Sequence, residues 1–321
     1  MRSTREYDAF GPWIDRVRAV DDVPPLYRNA GIDPAMCRLV LKVPREIERR
    51  NATPDMHLYD VLIAVDDETL TVLRRRGDTY DTTRVTCTQI VALEDSVSLL
   101  DGRLTVYLTD GTTVSIPYNG ASQETVHELV ALLRQLYLGS PVEPEAPAAT
   151  FAQSRDDLDL DLGPADTALV TVYNTVRRTE PRMHLIGMTT RHLLVPLAAT
   201  SVFFRALHSV WPTTLLAAIV VADDREIQVF HRREWFARLG SNVYSLARTV
   251  LARDRITGVQ VSPHERYAHV QVVTVTAGQA TVSLPLPDDP EGARILASFD
   301  LEPGVQHRYP DRSVHRGTPT R

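Results

Sequence analysis

The stretch REIERRNATPDMHLYD, residues 45–60, gathers Arg45, Arg49, Arg50, His57, Tyr59 and Asp60 into one irregular segment. A guanidinium is a rigid fork of donors and an imidazole a tunable one, so this set suits an anion such as a phosphate. The competing expectation, and the stronger, is a solvated loop whose Glu46 and Glu48 neutralise the arginines. The matching part of the second half, ATSVFFRALHSVWPTTL (199–215), is far more apolar. A ligand site here would therefore belong to one half only.

Other chemistry-bearing groups read more plainly. Arg74, Arg75 and Arg76 follow one strand-like run, and His231, Arg232 and Arg233 follow another at a corresponding place. The expectation for both is charge that guards a sheet edge against aggregation. Asp66-Asp67 and Asp223-Asp224 read as hairpin formers, because neighbouring strand residues point to opposite faces and acids favour tips. His264 and His269, in HERYAH, lack the glutamate arrangement of a zinc helix. No nucleophile elbow, phosphate loop, dinucleotide fingerprint or CxxC occurs. The residues therefore predict no catalytic group, no metal and no cofactor. An enzyme with a site between domains, using Arg50, His57 and Asp60, is the third reading.

Two apolar sets are candidates for partner binding. Phe10, Trp13, Ile14 and Val17 stand at helical spacing, which predicts an arm docked on the first sheet with a buried Trp13. The alternative is a handle for a partner. Phe203, Phe204, Leu207, Val210 and Trp211 predict an amphipathic helix, either in its own core or at a contact with the other domain or another subunit.

These residues sit in a chain of 321 residues, long enough for two domains of ordinary size. A hydrophobic fraction of 43% marks a folded protein, and a net charge of −6 argues against a general affinity for nucleic acid. Cys37 and Cys87 are too few for a disulfide framework, which points to a reducing cytoplasm. No apolar signal segment opens the chain, and TTLLAAIVVA (213–222) is too short to cross a membrane and reads as a buried strand.

The elements that must position all this are written twice. VSIP (114–117) matches VSLP (282–285); LTVYLTDG (104–111) faces VQVVTVTA (270–277). AVDDETLTVLRRR (64–76) faces VADDREIQVFHRR (221–233), and LVLKVP (39–44) resembles HLLVPL (192–197). The order is kept, as small loop insertions would keep it. Hairpins are predicted at Asp66–Glu68 and Asp110-Gly111, with a further turn at Asp101-Gly102. Helices follow the last strand of each half: one capped by Ser122 with Val126, Leu129, Val130, Leu133 and Leu136 on its face, the other opening at Pro290.

Strands first and one helix last, twice over, gives an α+β fold class of two duplicated antiparallel-sheet domains with an N-terminal arm. That order resembles tandem pleckstrin-homology-like (PH-like) domains, including the bacterial members of the class. The expected limits are an arm (1–36), a first domain (37–138), a Pro/Ala/Asp-rich linker (139–166), a second domain (167–301) and a disordered basic tail (302–321). A duplicated ferredoxin-like or split-barrel domain fits the same order. The resemblance implies a binding or scaffold protein with a protein partner. Its runner-up is a peripheral binder of anionic lipid or a phosphorylated ligand through Arg49, Arg50 and Arg74–Arg76, with weak membrane contact. The sequence leaves a homo-oligomer open.

Overall fold

The computed structural model of the chain describes residues 5–139, 160–197, 212–241 and 243–299. The fold is α+β, mostly antiparallel sheet with a few helices. A short helix α1 (Arg5–Ala9) leads into β1 (Asp15–Arg16), β2 (Leu39–Pro44), β3 (Tyr59–Val65), β4 (Thr69–Arg76) and β5 (Thr79–Thr86), paired in that order in one sheet. The chain then turns through β6 (Ile90–Ser98), β7 (Asp101–Leu108) and β8 (Thr113–Asn119) into helix α2 (Gln123–Tyr137). Helix α3 (Thr167–Thr179) opens the second half. After it come β9 (His184–Thr189), β10 (His192–Leu193), β11 (Val195–Pro196), β12 (Thr213–Leu215), β13 (Ala218–Ala222), β14 (Glu226–His231), β15 (Phe236–Arg238) and β16 (Ser245–Ala252). The half ends with β17 (Gly258–Pro263), β18 (Tyr267–Ala268), β19 (Val270–Ala277), β20 (Ala280–Pro287) and helix α4 (Pro290–Ala297).

The near-continuous apolar runs of β3 and β4 have a physical reason: both faces of their sheet are covered. Leu41, Val61, Ile63, Leu70 and Val72 face a core shared with Leu129 and Leu133 of α2. Leu62, Ala64 and Leu73 face the N-terminal arm through Phe10, Val17, Val23 and Tyr27. The arm is thus docked, but not as its spacing suggested. The stripe from Phe10 to Val17 is not one helix, and Trp13 is 58% exposed while Phe10, Ile14 and Val17 are buried. Trp13 sits in a bend just ahead of β1, which pairs with β2 and replaces the expected helix. Ser122, expected to cap α2, instead accepts the Ile14 N–H at 2.9 Å and ties the arm down. Phe10→Ala should cost about 3–5 kcal/mol, the usual loss for a buried aromatic, and Trp13→Ala under about 1 kcal/mol. Thermal melts of the two variants check this.

The two halves share a sheet. β6 of the first pairs along its length with β16 of the second, Ser98 opposite Ser245 and Ala92 opposite Leu251. The result is one seven-stranded sheet in the order β8-β7-β6-β16-β14-β13-β9, while β17, β19 and β20 form a separate meander.

Several expectations fail for local reasons. Arg74–Arg76 and His231–Arg233 do not guard edges: Arg74 is paired on both sides, and Arg75, Arg76, His231, Arg232 and Arg233 are held by Asp60, Asp81, Thr249, Asp166 and Asp101. The third turn lies at Leu99-Leu100, and Asp101-Gly102 already belongs to β7. The apolar run 213–222 is split between β12 and β13, which join different sheets. A strand-first second half overlooks α3, which buries Leu169, Tyr173 and Val176 while threonines line its other side. The end of the supposed linker is structural: Asp166 is fully buried, bonded by Arg191 at 2.7 Å and Arg232 at 2.8 Å. Phe203, Phe204 and Trp211, and the basic tail, lie outside the described residues.

Candidate functional site

An open cleft of about 810 Å³ lies where the first sheet parts from the ends of β7 and β8. Val43 and Pro44 end β2, Asp60 and Val61 begin β3, and Arg74 and Arg75 end β4; these form one wall. The segment from Arg45 to Glu48 overhangs it. Leu100, Asp101, Pro117, Tyr118 and Asn119 form the opposite wall, and Pro12 of the arm touches the rim.

The opposite wall depends on an unusual hairpin tip. Leu99 adopts φ 56°, the left-handed conformation that suits glycine, and Leu99 and Leu100 are 70% and 64% exposed. Gly120 makes the tip possible: a Cβ there would lie 2.6 Å from the Leu99 carbonyl, and its N–H donates to the Leu100 carbonyl at 2.7 Å. The tip thus places two exposed leucines on a left-handed turn beside the cleft.

The charges of the cleft are mixed, with three arginines among four carboxylates (Glu46, Glu48, Asp60, Asp101). Arg75 donates to Asp60 at 2.6 Å, Arg74 reaches the Ser115 carbonyl, and Asp101 is held by Arg233 from the second half at 2.5 Å. Arg45 is half-buried, and no described residue bonds its guanidinium. Tyr118 donates to Asp95 at 2.6 Å; burial, then the nearby carboxylate, raises its hydroxyl above the usual range, so it remains a protonated donor.

Of the residues singled out in sequence, the fold brings Arg45, Asp60, Arg74 and Arg75 together and disperses the rest. Arg49 bonds the Tyr7 and Phe10 carbonyls and stacks 4.2 Å above the Tyr7 ring, holding the arm. Arg50 pairs with Glu48, Arg76 with Asp81 at 2.7 Å, and His57 faces Asp78 at 3.9 Å. Tyr59 is buried, with its hydroxyl on Asp15 at 3.1 Å, which removes it from ligand contact. Arg50, His57 and Asp60 all lie on the first half with separate partners, so the interdomain catalytic set does not form. Among the described residues no group of three or more His, Cys, Asp or Glu side chains could hold a metal. Leu100, Asp101 and Pro117 were missed; the doubled leucine before Asp-Gly was the available signal.

A second charged cluster lies between the halves. Arg134 of α2 bonds Glu180 at 2.6 Å and also Glu226, which is wholly buried on β14. Gln228 donates to Glu226 at 2.6 Å, and Arg248 of β16 donates to Glu180 at 2.7 Å. Every member is satisfied from within, so the cluster locks the halves together rather than receiving a ligand.

No protein-family model matches this chain, and no curated protein matches it in sequence.

Proposed function

We propose that the chain is a non-catalytic binding protein of two diverged PH-like copies, and that its first copy holds an extended segment of a partner protein in the cleft. The copy reading is supported by element lengths. β5 and β16 are each eight residues long, 166 positions apart, and each leads through a three-residue 3-10 turn (Cys87–Gln89, Arg253–Arg255). Asp66 accepts the Glu68 and Thr69 N–H groups just as Asp223 accepts those of Arg225 and Glu226.

The partner reading is carried by one observation: among the described residues the cleft offers apolar side chains and a single unengaged guanidinium within a surplus of carboxylates. A polyanion needs converging free cations, and here Arg49, Arg50, Arg75 and Arg76 already have carboxylate or carbonyl partners. Anionic lipid therefore has less support than a polypeptide, which can present one acidic side chain to Arg45 and apolar ones to Leu100, Pro44 and Pro117. Cys37 and Cys87 are free thiols, which suits a reducing cytoplasm, and no described helix is long and apolar enough to cross a membrane.

The test is a displayed random-peptide library panned against the purified chain. Selected peptides should share an acidic residue flanked by apolar ones, and Arg45→Glu should weaken them by roughly tenfold or more, the scale of a lost charge-assisted bond. Binders indifferent to Arg45→Glu would overturn the reading, as would no binders beside strong, salt-sensitive binding to phosphatidylserine vesicles.

A further inference from the structure

The junction between the halves joins unlike elements. β6 follows the three-residue turn in the first half, whereas β16 precedes the turn in the second. A contact between unlike surfaces of repeated units does not exhaust itself: each further unit can add in the same way, and the result is a closed ring or an open filament. On the copy reading, on which this inference rests, the counterpart of β6 in the second half is β17, and the counterpart of β16 in the first half is β5. Among the described residues both are sheet edges, each paired on one side only: β5 with β4, and β17 with β19.

We infer that the chain self-associates head to tail, the β17 edge of one copy pairing antiparallel with the β5 edge of the next. The partner is a second copy of this chain, because the two edges match each other as β6 and β16 do. Carrying the internal register across by 166 positions places Gln260 opposite Thr83, Ser262 opposite Asp81 and Gly258 opposite Val85. Both edges suit addition. β5 is rich in threonine, exposes nearly all its side chains and carries no proline. On β17 the sole proline, Pro263, stands at the last position. An unpaired row of backbone donors and acceptors is a template for another strand, and β17 carries no charged residue while β5 carries Asp81 and Arg84.

Sedimentation velocity of the full chain over a concentration series tests this. The average mass should rise with concentration beyond that of one chain. Thr83 and Gln260 are exposed and Ser262 half-buried, so variants there should fold, and thermal melts confirm it. Thr83→Glu combined with Gln260→Glu and Ser262→Glu sets like charges opposite each other, with native Asp81 adding to them, and should weaken assembly roughly tenfold. Thr83→Glu with Gln260→Lys and Ser262→Lys sets opposite charges in register and should restore it. A single-chain mass at every concentration overturns the inference, as does equal assembly by both variants. Such a failure leaves the copy reading standing, since that is tested separately by superposing residues 39–137 on 184–297 in a crystal structure.

Discussion

Arg134→Met is expected to remove about 3–5 kcal/mol of stability, the usual loss when one partner of a buried ion pair is deleted. The reason is what it leaves behind. Glu180 keeps Arg248, but Glu226 sits fully buried on β14 and, among the described residues, keeps only the Gln228 amide as a hydrogen-bond donor, with Arg248 the remaining nearby charge. A buried carboxylate that has lost its hydrogen-bonded cation is far costlier than the pair itself was worth. The loss is a large share of the roughly 5–15 kcal/mol that holds a domain folded. Denaturant titration of Arg134→Met beside the double variant Arg134→Met/Glu226→Leu separates cause from packing. The double variant should be the more stable of the two, because no orphaned charge remains. A loss under about 1 kcal/mol in the single variant would mean that the cluster does not lock the halves.

Acid should destabilise the protein in two steps. His231 lies buried between Thr249, bonded at 2.9 Å, and the Arg232 carbonyl at 2.7 Å, with its ring stacked 4.3 Å from Trp235. Burial penalises the charged ring more than the carbonyl bond favours it, and holds its pKa down to about 4. The unfolded imidazole binds its proton near pH 6.5. Between those values the unfolded state binds more protons, so stability falls as pH drops from about 6.5 to 4, by about 3 kcal/mol. Glu180 acts lower. Burial alone would raise its carboxyl, but the Arg134 hydrogen bond and the Arg248 charge outweigh that and hold it at about 2. Its contribution is present above the ordinary carboxylate range and is lost as pH falls through about 2. His231→Gln should flatten the slope between pH 6.5 and 4 and leave the lower step. An unchanged slope in that variant would show that His231 titrates normally.

The hairpins centred on Asp66 and on Asp110-Gly111 were legible because acids and Asp-Gly carry their turn geometry locally. The Leu99-Leu100 tip was not, because leucine has no turn preference and the tip is held by Gly120, a distant residue in sequence. β5 escaped notice because only Val85 along it is buried, so no apolar alternation marks it. Helix α3 was hidden by its threonines, β-branched residues that suit strands better than helices. Half of the cleft was visible as an arginine-rich segment. The other half arrives from β7 and β8, and which arginines stay free was settled by carboxylates elsewhere on the chain: Asp60 for Arg75, Asp81 for Arg76. Composition cannot reveal such pairings.

The central claim is that the cleft beside Arg45 receives a partner's polypeptide. Hydrogen–deuterium exchange of the full chain, with and without a peptide selected against it, tests that claim most directly. Slowed exchange should be confined to residues 43–48, 60–61, 74–75, 99–101 and 117–119, the cleft walls and the leucine tip. Slowed exchange elsewhere, with those five segments unchanged, would contradict it.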